Sequence, residues 1–240
     1  IRDPYVILGL VIIGVFILFV FIKMPDSNDK SSNKNVGVII KKLAKNSRYS
    51  QGVVAQIFYV GAQIMCWTYI YQYAEGIGID NVTAGYYQMA AFILFVVGRA
   101  VATFLFLFFN PGKLLMIFAL FSIVASLGVM LIDNYMGLYC LVAVSLFMSL
   151  MFPTIYGIAL GGLSEEESKI GSAGLVMAIV GGALMPKFQG MIIDLGGYNV
   201  DDVSILGMSE MNFSFILPLL CFIFIAFYGL KSNTIIKNSY

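Results

Sequence analysis

The 240-residue sequence contains no histidine. That single absence removes His-ligated zinc sites, Ser-His-Asp triads and imidazole proton relays from this chain. Charge is also scarce, with Asp, Glu, Lys and Arg at 11% of residues where soluble domains carry about a quarter. The net charge of +1 says little by itself, because the placement of charges carries the information, and no nucleic-acid partner is expected. There are only three cysteines, Cys66, Cys140 and Cys221, each inside a hydrophobic run. Their spacing fits no metal pattern, so they read as small apolar residues, and no cofactor or metal is expected. What remains is grease: 60% of residues are hydrophobic and mean hydropathy is +0.91. A chain of this composition cannot cover its surface with polar side chains, so lipid is its natural solvent.

Crossing a bilayer core of roughly 30 Å takes about 20 apolar residues. Seven stretches qualify: 5–22, 51–73, 84–109, 114–132, 138–162, 170–193 and 213–230. Polar, turn-rich breaks separate them, as at Asn110-Pro111-Gly112-Lys113 and Asp133-Asn134. Runs this long lack the ten-residue alternation of a β-barrel, which predicts an all-α polytopic membrane protein with seven transmembrane helices. The chain begins at Ile1 with no charged leader or cleavage site, which fits a fragment.

Lys and Arg set the orientation. The connection 23–50 carries Lys23, Lys30, Lys34, Lys41, Lys42, Lys45 and Arg48 against Asp26 and Asp29. Lys113, Lys169, Lys231 and Lys237 fall on the same side, while Glu75, Asp80, Asp133, Asp201, Asp202 and Glu210 fall on the other, with Arg2. The long connection is therefore expected to be cytoplasmic, the amino end periplasmic and the carboxyl end cytoplasmic in a bacterial inner membrane. Residues 25–35 read as a flexible polar segment. For residues 36–45 two readings stand, a short interfacial helix or a solvated linker. One span precedes this connection and six follow it, a layout that points to two bundles with most of the first one missing.

Polar groups inside a span are costly unless paired, so they face the protein interior or a watery cavity. Gln56, Tyr59, Gln63 and Trp67 recur at three- and four-residue steps along one helical face, and Tyr71 extends the row. Amides offer donors and acceptors while Trp and Tyr offer flat apolar faces, the pairing that a sugar's hydroxyls and C–H face require. Arg99, preceded by Gly98, sits deep in span 84–109 with no mid-depth carboxylate in any span. Its partner is expected to be backbone carbonyls, the cavity or the missing half. Span 170–193 is interrupted by Gly181-Gly182 and Pro186, beside Lys187, Gln189 and Gly190, and Pro153 breaks another span between Phe152 and Tyr156. Glycine- and proline-broken spans at corresponding places in repeated units point to a transporter's binding region. Gly157 and Gly161 read as a helix-packing face, and Lys187 either reaches for the outer surface or contacts substrate.

Several of these strings are collinear with a known family. Ala55-Gln56-Ile57-Phe58-Tyr59-Val60-Gly61-Ala62-Gln63, then Cys66-Trp67-Thr68-Tyr69, resembles the seventh helix of the L-fucose/proton symporter family of the major facilitator superfamily. Gly98-Arg99, Phe147-Met148-Ser149 through Phe152-Pro153-Thr154-Ile155, and Val176-Met177-Ala178-Ile179-Val180-Gly181-Gly182 match in the same order. The resemblance implies two six-helix bundles, with 1–22 the last helix of the amino-terminal bundle, 23–50 the central loop and 51–240 the carboxyl-terminal six-helix bundle. It implies proton-coupled uptake of a monosaccharide by alternating access, with lipid, substrate, protons and the missing amino-terminal bundle as partners. The coupling carboxylates would lie in that missing bundle. The substrate-facing residues are then Gln56, Tyr59, Gln63, Trp67, Arg99, Phe152, Tyr156 and Gln189. Phe152 stands where the fucose transporter has a tyrosine and Lys187 where it has an apolar residue, leaving fucose, glucose, galactose or another hexose open.

Two other classes share parts of the pattern. Seven spans with an outside amino end also describe a seven-helix receptor, but the long basic connection after the first span and the broken helices fit one poorly. An intramembrane enzyme would need a catalytic set, and without histidine or paired mid-membrane carboxylates none is found, so the chain is not expected to be an enzyme.

Overall fold

A computed structural model describes residues 2–21, 36–195 and 204–237, and among them the chain is helical throughout apart from its turns. Lys23, Asp26, Asp29, Lys30, Lys34, Asp201 and Asp202 lie outside the described residues, as do the side chains of Arg2 and Lys237. The chain divides into two compact units, Ile1–Asn35 and Val36–Tyr240. The described residues of the first form one helix, α1 (Arg2–Phe21), whose side chains Leu10, Val11, Ile12 and Phe16 are all exposed.

The second unit begins with α2 (Val36–Lys45), so residues 36–45 are a helix and not an open linker. It continues with α3 (Ser47–Thr68), α4 (Ile70–Gly76), α5 (Asn81–Leu105), α6 (Pro111–Leu131), α7 (Tyr135–Met148), α8 (Met151–Leu160) and α9 (Glu165–Met177). A 3₁₀ turn at Ala178–Val180 leads into α10 (Gly181–Ile193), and α11 (Glu210–Ser214) and α12 (Ile216–Lys237) complete the unit. Among the described residues five segments are long and apolar enough to cross a membrane: Asn81–Leu105, Pro111–Leu131, Tyr135–Leu160, Glu165–Ile193 and Glu210–Asn233. The pair α3–α4, bent by 41° at Tyr69, qualifies as a sixth when taken as one broken span. These carry the six later spans read from hydropathy, and α1 occupies the place of the first.

The helix starts follow from side chains that satisfy otherwise unpaired amides. Asn46 accepts from the Arg48 and Tyr49 amides, Asn110 from Gly112 with Pro111 at the first helical position, and Asn134 from Met136. Asp80 accepts from the Val82 and Thr83 amides at 3.1 Å each. Hydrogen bonds from the Thr83 side chain and backbone, in that order, hold the Asp80 carboxyl below its usual range. Ser164 and Glu167 close a reciprocal capping box at α9.

Proline explains two of the breaks. It lacks an N–H and its ring crowds the carbonyl four residues back. Pro153 thus disrupts the ladder at Ser149, where α7 gives way to α8, and Pro218 does so at Ser214, where α11 ends. In span 170–193 the helix tightens into its 3₁₀ turn immediately before Gly181, while Pro186 remains inside α10.

α3 is the central element. It packs against α10, α12 and α8, while α6 lies between α12 and α7, and α5 leans on α7. The shared core includes Ala55, Met65, Leu115, Leu138, Met148, Ile155, Phe222 and Ile225. Cys66 and Cys221 are buried free thiols and Cys140 is half-buried. Of the expected Gly157–Gly161 packing pair, Gly161 lies against the Arg48 guanidinium, where an added Cβ would be 2.8 Å from Nη2, while a methyl group built on Gly157 meets nothing within 4 Å in this chain. The tight α5–α7 approach is instead at Gly98, where an added Cβ would lie 2.6 Å from the Leu146 carbonyl.

Candidate functional site

The polar row on α3 divides in two. Gln56 and Tyr59 are completely buried, whereas Gln63 and Trp67 are half-buried. Neither polar atom of the Gln56 amide has a hydrogen-bond partner, and neither does the Tyr59 hydroxyl. Tyr59 meets Phe152 edge-on with ring centroids 6.1 Å apart, and Phe152 stacks on Tyr156 at 6.3 Å with only 14° between the planes. The break that Pro153 imposes thus starts α8 with Phe152 facing α3, and the sequence-predicted trio Tyr59, Phe152 and Tyr156 forms one aromatic strip.

Trp67 and Arg99 form a second group. The Trp67 indole N–H donates to Ser145 Oγ at 3.1 Å, and its ring meets Phe92 and Phe95 of α5 edge-on at 5.0 and 5.1 Å. Arg99, one turn beyond Phe95, places its guanidinium 5.1 Å over that same ring. Its Nε–H donates to the Ser149 carbonyl at 3.3 Å. That carbonyl sits four residues before Pro153, so proline frees the acceptor that arginine takes. Arg99 is otherwise exposed.

Gln189 stands apart. It is buried on α10, where its amide Nε2 donates to Ser214 Oγ at 3.0 Å, and its Oε1 has no partner. Lys187 is exposed, and Tyr71 is exposed at the end of the row. The residues that sequence reasoning missed are Phe92, Phe95, Ser145 and Ser149. Two signals pointed to them: Gly98, which lets α5 and α7 meet closely, and the four-residue spacings Phe95 to Arg99 and Ser149 to Pro153.

Glycine governs the seam beside the polar row. A Cβ on Gly181 would run into the Ile57 carbonyl, one on Gly182 would come within 2.9 Å of Ile64 Cγ1, and one on Gly61 within 2.5 Å of Met185 Cγ. α3 and α10 therefore meet nearly backbone to backbone, next to the 3₁₀ turn. Tyr69, where α3 bends, donates its hydroxyl to the Pro186 carbonyl at 2.8 Å. Among the described residues no three His, Cys, Asp or Glu side chains gather as a metal site.

No family model matches the chain. It is similar to the L-fucose-proton symporter of Haemophilus influenzae, 48% identical over 238 residues, covering 99% of this chain and 54% of that protein. It is also similar to the L-fucose-proton symporter of Escherichia coli, 30% identical over 204 residues, covering 82% of this chain and 46% of that protein. The glucose/galactose transporter of Brucella abortus is 28% identical over 236 residues, covering 96% of this chain and 53% of that protein. Among solved structures, the major facilitator superfamily transporter FucP in the outward conformation superposes with a TM-score of 0.79 at 29% identity. That match covers 96% of this chain and 54% of the other. The chain spans about half the length of the curated relatives it matches, and those relatives are transporters, not enzymes.

Proposed function

Because this chain belongs to the L-fucose/proton symporter family of the major facilitator superfamily, we propose that it supplies the carboxyl-terminal bundle of a proton-coupled monosaccharide transporter. In this reading residues 1–22 are the last helix of the amino-terminal bundle, 23–50 the cytoplasmic connection that includes α2, and 51–240 the carboxyl-terminal six-helix bundle. The amino end faces the periplasm and the carboxyl end the cytoplasm of a bacterial inner membrane, a reading that the Lys and Arg placement supports.

The observation that carries the reading is the set of unpartnered polar atoms on Gln56 and Tyr59, set against the Phe152–Tyr156 stack. Buried amides and hydroxyls almost always have partners, and those that do not are candidates for a ligand or ordered water. A monosaccharide supplies both halves of what is missing. Its hydroxyls satisfy Gln56, Tyr59 and Gln63, and its C–H face lies on the Tyr59, Phe152 and Tyr156 rings. Trp67 and Arg99 form the adjoining wall, with the guanidinium held by Phe95 and Ser149 and its outer edge free to meet a substrate oxygen. Gln189 keeps its carbonyl for the same purpose on the α10 side.

Access requires movement, since Gln56 and Tyr59 are closed off here. The glycine seam between α3 and α10, next to the 3₁₀ turn, offers a smooth surface on which α10 slides or tilts, as alternating access demands. No Asp or Glu lies at mid-depth in this half, so the coupling proton is bound by residues elsewhere in the full-length protein.

Trp67 is the only tryptophan here and supplies the test. In the full-length protein with any other tryptophans replaced, L-fucose, D-glucose and D-galactose are titrated while Trp67 fluorescence is followed. The reading requires a saturable change with at least one of them, weakened by Gln63→Ala. A flat response to all three, in protein shown to be folded, would overturn it.

A further inference from the structure

A second polar pocket lies at the other end of the bundle from the lysine-rich connections. The ends of α4, α10 and α11 and the α6–α7 turn enclose about 190 Å³, lined by Tyr73, Asp133, Ser209, Glu210 and Asn212 among others. Among the described residues no Lys or Arg lines it. Its hydroxyl donors are already committed. Tyr73 donates to the Ile132 carbonyl at 2.5 Å, and Ser209 donates to Asn212 Oδ1 at 3.1 Å. The Asn212 backbone N–H donates to Ser209 Oγ at 3.2 Å.

One carboxylate acceptor is not committed. Glu210 is 8% exposed, yet its Oε1 has no hydrogen-bond partner. Asp133 sits exposed at the rim of the same pocket. A buried carboxylate oxygen without a donor is strongly disfavoured, and carboxylates in that position are paired or coordinate a cation. Two carboxylates beside hydroxyl and amide oxygens form the all-oxygen environment that hard cations select.

We propose that this pocket binds a hard, oxygen-coordinated cation, Ca²⁺ or Na⁺, between Glu210 and Asp133. The ion would tie α11 to the α6–α7 turn and so brace one end of the bundle. The site is separate from the aromatic strip, and its occupancy does not depend on which solute the protein carries.

The test is thermal unfolding of the full-length protein in detergent, with CaCl₂ or NaCl compared against choline chloride at matched ionic strength. A ligand that binds the folded state at a hundred times its Kd should raise Tm by roughly 3–5 °C in a protein about twice the length of this chain. The proposal expects a saturable rise with Ca²⁺ or Na⁺, lost in Glu210→Gln and reduced in Asp133→Asn. Glu75→Gln, an exposed acid on the same side that does not line the pocket, should keep it. Should Glu210→Gln fail to fold, the exposed Asp133 position still reports. No rise with either cation overturns the proposal, as does a rise that survives Asp133→Asn and Glu210→Gln alike. So does stabilisation by acid alone with no cation response, which would mark Glu210 as a neutral carboxylic acid.

Discussion

Replacing Gln56 with methionine should make the protein more stable and worse at binding sugar. Methionine matches glutamine in length and flexibility but carries neither polar amide atom. Both of those atoms are buried and unpartnered on α3. Each such atom costs about 1–3 kcal/mol when left unsatisfied. Polar pairs between membrane helices average only about 0.6 kcal/mol, because the unfolded chain also finds partners in the bilayer. The expected net gain is therefore about 1–3 kcal/mol, read as a Tm increase of roughly 1–6 °C in the full-length protein. Sugar affinity should move the other way. Each neutral hydrogen bond lost is worth about 0.5–1.5 kcal/mol, or about 2- to 12-fold in Kd. The assay is thermal unfolding and equilibrium sugar binding on the same full-length preparation. A lower Tm would show that the amide holds the bundle together, and unchanged affinity would show that it does not meet the substrate. Either result refutes the reasoning.

Four other outcomes follow from the geometry. Gly181→Ala drives a methyl group into the Ile57 carbonyl and should cost about 1–3 kcal/mol of stability, checked by thermal unfolding and by slowed uptake. Ser145→Ala removes the acceptor of the Trp67 indole and should cost about 1 kcal/mol while shifting Trp67 emission. Lys42→Ala breaks the ion pair that ties α2 to Glu167 of α9, and should raise hydrogen exchange in α2 while changing global stability by no more than about 1 kcal/mol. At Asp80 the folded-state pKa lies below the unfolded value of about 3.9. Its contribution is therefore complete above that value and is lost as pH falls through the lower folded one. Exchange protection at Val82 and Thr83 should drop in that acidic window, and Asp80→Asn should abolish the pH dependence while keeping the cap.

The helices were legible because bilayer thickness imposes a run length that hydropathy detects directly. The start of α6 was legible in the polar break at Asn110, whereas the Ser164 cap starts α9 at Glu165, ahead of the expected span 170–193. The bend at Tyr69 was not legible, because neither Pro nor Gly marks it and the hydroxyl bond to Pro186 that accompanies it spans 117 residues. In the site, periodicity placed Gln56, Tyr59, Gln63 and Trp67 on one helix. It could not tell that the first two would be sealed and the other two half-open, since that depends on which helix covers each turn. Arg99 left three partners open, and within this chain it meets a backbone carbonyl and the Phe95 ring. Gln189 illustrates the limit: its bond to Ser214 joins residues 25 positions apart on different helices, which no local pattern records. Orphaned atoms such as those of Gln56 appear only once packing is known.

The central claim is that this bundle forms one wall of a proton-driven monosaccharide path. It is tested most directly by reconstituting the full-length protein in liposomes, imposing an inward pH gradient and measuring uptake of radiolabelled L-fucose, D-glucose and D-galactose. The account predicts accumulation of at least one of them above equilibrium, abolished by a protonophore and reduced in Gln56→Met. Uptake that ignores the gradient, or none of any sugar by correctly inserted protein, would contradict it.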